Sequence, residues 1–143
     1  MAILGADLRP VAASPVAVSE AAGLVLAQDL RAEAPHPPHD VARGEGFAVS
    51  SAETAGASPY GPIQLLAEPS WVEAGDAIPA GCDAVLPPDC VDLAGLSIIG
   101  EAVPRQGVRA RGEDMSAGAL AARAGEPLTP AHLAAARLFG LTT

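Results

Sequence analysis

The sequence predicts an α+β, β-rich and elongated body, with short strands through the middle and helices near both termini. Three observations predict it. Apolar pieces cut by Gly and Pro fill the central part of the chain. A helical period of apolar residues stands near one end, and a Thr-Pro pair opens an apolar run near the other. Short strands with frequent punctuation are the pattern of a β-rich module.

Taken in order, Val18, Ala21, Ala22 and Val25 fall at i, i+3, i+4 and i+7, one face of a helix over 19–30 with Ser19 as N-cap. Gly23 costs that helix ~1 kcal/mol relative to Ala, which hints at close packing there. Residues 28–34 alternate polar and apolar, as a strand does, until the prolines of "PHPPHD" stop it. "GFAVSS" reads as the next strand and "AETAGASPYGP" as a loop. Further strands are expected at 63–67, 82–86, 96–99 and 101–103, and a short one between the glycine turns at 117–118 and 124–126. Thr129-Pro130 is an N-cap and N1 pair for a helix that Gly140 ends.

Half of the residues are hydrophobic and 17 % are charged, so the chain folds. One Trp, one Tyr and two Phe leave a core of Ala, Val, Leu and Ile. The 143 residues fit one domain or two small interlocked ones. All eight basic residues are Arg, and the net charge of −9 repels nucleic acid and anionic membranes. The N-terminus lacks a basic leader region, and no apolar run approaches the ~20 residues of a membrane span. A cytoplasmic protein is expected. Cys82 and Cys90 lack zinc-ligand spacing and read as reduced, partly buried thiols.

Three segments carry the candidate chemistry. "PPHDVARGEGFAV" packs acids, an Arg and glycines into a stiffened turn, "AGDAIPAGCDAVLPPDCV" follows, and "GVRARGEDMSAGALAARAGEPLTPAHLAAARLFGL" closes the chain. In this order, over 18–141, they resemble the N-terminal part of the molybdopterin molybdotransferases, the MoeA and gephyrin E-domain family, which inserts molybdenum into molybdopterin. The resemblance implies an elongated MoeA N-terminal-region-like fold. It places one helix-containing unit at 1–48 and 104–143 and an inserted β-rich unit at 49–103. It also implies that the family's α/β pocket domain and small β domain lie outside these residues. In the family the first two units form much of a dimer and reach across to the other subunit's site. A homodimer is therefore expected, with a cofactor-biosynthesis enzyme or a molybdoenzyme as further partner.

The family motif D-N-S-A-M-D-G-Y-A falls on 40–48. Asp40, Gly46 and Ala48 match, whereas Val41 and Ala42 replace two hydrogen-bonding side chains. Glu45 stands where the family holds an Asp near molybdate and metal, and it carries its charge one methylene further out. Ala74 replaces a Thr, and Asp76 adds an acid that would repel an anionic substrate. Arg109, Arg111, Gly112, Glu113 and Asp114 match the R-x-x-G-E-D segment. The resemblance thus implies catalytic and Mg²⁺-holding roles for Glu45 and Asp114. It implies contacts to molybdopterin or molybdate for Asp40, Gly46, Arg109, Arg111 and Glu113.

Plainer readings stand beside these. Glu45 between two glycines is also an ordinary solvated turn acid. Arg109, Glu113 and Asp114 also make a structural salt-bridge and capping cluster. His36 and His39 are also exposed loop histidines, and Trp71 a packing anchor. Three functions stay open: an accessory, non-catalytic relative in molybdenum-cofactor biosynthesis; part of a split molybdotransferase; and a dimerisation module without a small-molecule ligand.

Overall fold

A computed structural model describes residues 11–143. Its strands are β1 (Leu30–Arg31), β2 (Val41–Ala42), β3 (Gly46–Val49), β4 (Ile63–Gln64), β5 (Ser70–Val72), β6 (Ala84–Leu86), β7 (Val91–Asp92), β8 (Ser97–Ile98), β9 (Val108–Arg109) and β10 (Leu120–Ala122). One α-helix, α1 (Pro130–Leu138), follows them. The chain divides into two compact units, Met1–Glu33 with Gly118–Thr143, and Ala34–Ala117. The sequence-based cuts at 48/49 and 103/104 fall elsewhere. The 34–48 and 104–117 stretches side with the inserted unit because β3 pairs with β5 and β6, and the backbones of 40–42 and Gln106 bond to 76–78 and Val85.

In the first unit the expected helix over 19–30 is a single 3-10 turn, Val18–Glu20. Gly23 has φ +78 and open space around it, so a left-handed turn explains this glycine and close packing does not. Beyond that turn the backbone bonds to the C-terminal part of the chain. Gly23 donates to Leu128 O at 2.9 Å, Leu26 to Glu126 O at 3.0 Å and Leu128 to Leu24 O at 2.8 Å. β1 pairs antiparallel with β10. Val18, Leu30, Ala122 and Ala136 form the core, with Leu133 and Phe139 packed against it. α1 begins where Thr129-Pro130 predicts it. The Thr129 hydroxyl accepts from the His132 N–H, and the His132 ring accepts from the Thr129 N–H, so histidine completes the capping box.

The second unit holds two three-stranded sheets, ordered β5-β3-β6 and β4-β8-β7, and the β2–β9 pair. β3 is buried along its whole length. Its side chains alternate between two clusters. Phe47 and Val49 join Leu86 and Ile98, while Ala48 joins Val72, Val85 and Val108. That two-sided burial is why the chain turns apolar at "FAV". Trp71 packs edge-on against Phe47, ring centroids 5.1 Å apart, yet stays 45 % exposed. The expected strand at 101–103 is absent; Ala102 instead donates to the buried Thr54 hydroxyl at 2.9 Å. Cys82 and Cys90 are free, half-buried thiols, and burial raises the pKa of each.

Candidate functional site

β2 is only two residues long, and its backbone groups need partners on both sides. On one side Val41 and Ala42 pair with Arg109 and Val108 of β9. On the other, the Ala42 N–H donates to Asp76 O at 2.8 Å, and Ala42 O accepts from Gly75 at 2.9 Å. Asp40 O accepts from Ile78 at 3.0 Å, and the Arg43 N–H donates to Gly107 O at 2.8 Å. The second unit therefore brings all three candidate segments together around 40–43.

Asp40 ties the first segment to the third. Its Oδ1 accepts from the Arg111 N–H at 2.7 Å and its Oδ2 from Arg105 Nη1 at 3.2 Å. The Arg111 peptide bond first, and the Arg105 guanidinium second, hold its pKa below the ordinary carboxylate value. Arg43 makes a second tie. Its Nε donates to Val108 O at 3.1 Å and its Nη2 pairs with Glu113 Oε1. Glu113 Oε2 accepts from the Ala110 N–H at 2.8 Å, and this bond, followed by Arg43, lowers the pKa of Glu113. Asp114 pairs with Arg109 at 3.4 Å and lies 4.0 Å from His36 Nε2.

The cluster thus contains Asp40, Arg109, Glu113 and Asp114, as well as the backbone of Arg111. The Arg111 guanidinium makes no hydrogen bond or ion pair among the described residues. Glu45 is exposed, and among the described residues it makes no hydrogen bond or ion pair with Asp114 or an Arg. Gly46 serves packing: a Cβ there would lie 2.3 Å from Leu86 O and 2.8 Å from Val85 Cγ1. Asp76 caps its own turn by accepting from the Glu73 N–H at 2.9 Å. Sequence reasoning missed Arg43 and Arg105. The available signal was four of the chain's eight basic residues falling at 43, 105, 109 and 111, inside the segments already singled out or, for Arg105, two residues before one.

These residues do not fit Mg²⁺ by themselves. Among the described residues no group of three or more His, Cys, Asp or Glu side chains could hold a metal ion. Asp114, the carboxylate assigned to the metal along with Glu45, already faces an arginine. What the cluster does offer is a half-exposed surface of alternating guanidinium and carboxylate groups.

The family model described as the MoeA N-terminal region (domain I and II) matches residues 1–140. The chain belongs to this family. A molybdopterin molybdenumtransferase 2 of Mycobacterium tuberculosis is 31 % identical over 93 % of the chain. A molybdopterin molybdenumtransferase of Synechococcus elongatus is also 31 % identical, over 92 %. The crystal structure of a molybdopterin biosynthesis moeA protein from Pyrococcus horikoshii superposes with a TM-score of 0.78 at 29 % identity, covering 89 % of this chain. The mostly β fold with some helix agrees with that neighbour. The chain spans 37 % and 38 % of the length of the two transferases, and 38 % of the Pyrococcus chain. Among the described residues no helix is long and apolar enough to cross a membrane.

Proposed function

We propose that this MoeA-type chain acts in cytoplasmic molybdenum-cofactor biosynthesis as an accessory, non-catalytic partner of a complete molybdotransferase or molybdoenzyme. One observation carries the reading. The three family segments converge on Asp40, but Arg43, Arg105 and Arg109 occupy the carboxylates that the family's chemistry would use. An arginine-bridged surface can receive the phosphate or pterin edge of molybdopterin. Without a free pair of acids it cannot orient molybdate and a divalent cation. Glu45, the one acid of the first segment without an ion pair among the described residues, would need donors from outside them.

The test is molybdenum transfer to an apo-molybdoenzyme from molybdate, Mg²⁺ and adenylylated molybdopterin. The 143-residue chain alone is expected to give no turnover above the no-protein control. Added to a complete molybdotransferase, it is expected to change the rate. Turnover by the chain alone would overturn the non-catalytic reading. An unchanged rate in the second arm would leave a purely structural module.

The proposal includes a homodimer. In the first unit Leu24, Val25 and Leu138 are 45 %, 64 % and 49 % exposed, apolar surface that a second copy can cover. Stable interfaces bury ~1,200–2,000 Å² in total. Light scattering at micromolar concentration is expected to give twice the monomer mass of 14.2 kDa. A concentration-independent monomer would refute the dimer and leave the transfer assay unaffected.

A further inference from the structure

A cleft of about 590 Å³ opens in the second unit, away from the arginine–carboxylate cluster. Its lining includes Val49 of β3, Ile63 of β4, Ile98 of β8 and Leu65, all buried or half-buried. The lining includes Glu53 and Glu68, both exposed, and among the described residues no Lys, Arg or His. Leu66 lines it too and is fully exposed. Cys82 forms part of the wall. Burial, then Glu53 and Asp83, raise the pKa of its thiol, so it serves as a neutral apolar surface and not as a nucleophile.

Two strands that contribute to this cleft are sheet edges. Among the described residues β4 pairs only with β8, and β5 only with β3. An edge strand leaves one side of its backbone without a strand partner, a template for an added extended chain. The charge of the rim selects among occupants. Glu53 and Glu68 repel nucleotides, phosphates and acidic peptides, and they attract a cation. The aliphatic floor rewards apolar side chains beside that cation.

We infer that this cleft docks an extended segment of another protein in which Lys or Arg alternates with aliphatic residues. The segment's main chain adds along a free strand edge. Its aliphatic side chains lie over Val49, Ile63, Leu65 and Ile98, and its basic side chains face Glu53 and Glu68. The inference is independent of the molybdenum reading, because none of the arginine-paired residues lines the cleft.

The probe is a blocked, fluorescent peptide of about six residues alternating Val and Lys, titrated against the full chain by anisotropy. Saturable binding is expected. It should weaken about tenfold in Glu53→Gln/Glu68→Gln, and again when alternate peptide nitrogens of the probe are methylated. Glu20→Gln/Glu33→Gln makes the same change in net charge outside the cleft and should leave binding unaltered. All these substitutions lie at exposed positions, and circular dichroism confirms folding. Equal losses in the two double variants would reduce the effect to general charge attraction and overturn the inference. So would equally tight binding of blocked lysine alone, which marks a small-cation site, or no saturable binding of the peptide.

Discussion

Gly46→Ala is expected to destabilise the second unit by about 3 kcal/mol, whereas Gly44→Ala, two residues away, should be nearly neutral. The difference follows from what each new methyl group meets. At Gly46 it would stand 2.3 Å from the Leu86 carbonyl oxygen and 2.8 Å from Val85 Cγ1. Both belong to β6, which β3 pairs with at Phe47, Ala48 and Val49. Relief requires β3 and β6 to separate, and both strands contribute side chains to both core clusters of this unit. At Gly44 nothing lies within 4 Å. Urea unfolding followed by Trp71 fluorescence measures both variants, since Trp71 packs on Phe47 beside the perturbed position. Equal midpoints for the two variants would show that β3 and β6 can part at little cost. That outcome would return Gly46 to the role of a ligand-approach glycine that the family resemblance implies.

How legible the fold was depended on how local its causes were. α1 was readable because its cap, its proline and its stop lie within one short segment. β3 and β6 were readable because apolar runs bounded by Gly and Pro leave few alternatives. The helix over 19–30 failed because its competitor was distant: the backbone of 23–26 bonds to 126–128, a partner that periodicity does not reveal. β5 was missed for a related reason, being a three-residue strand after a proline whose partner precedes it by more than twenty residues. At the site, the segments were legible as segments. Their pairing was not, since an Arg in a glycine turn does not announce which of several acids it will meet.

Asp40→Ala is expected to cost about 2 kcal/mol at neutral pH, and Asp40→Asn well under half of that. The aspartate receives the Arg111 N–H and the Arg105 guanidinium, and alanine removes both bonds. Asparagine can still accept the Arg111 N–H but cannot pair with Arg105. The side chain is 41 % exposed, so the ion-pair share is small and the peptide bond dominates. The effect must also depend on pH. Folding lowers this carboxyl below its ordinary value of 3.8, so the stabilisation is complete above that value. It is lost as pH falls through the lowered native value, because the native carboxylate then takes up the proton that the unfolded chain already holds. The gap between wild type and Asp40→Ala should therefore be flat from about pH 7 to about pH 5 and should narrow steadily towards about pH 2. Glu113, Asp83 and Asp29 are depressed in the same direction but are common to both proteins, so they cancel in the difference. Paired urea titrations across that range settle the matter. A gap that stays constant down to the lowest pH would mean that the charge of Asp40 contributes nothing. The junction between the 40–46 and 105–114 segments would then rest, without help from that charge, on the β2–β9 backbone pairing and the Arg43 contacts to Val108 and Glu113.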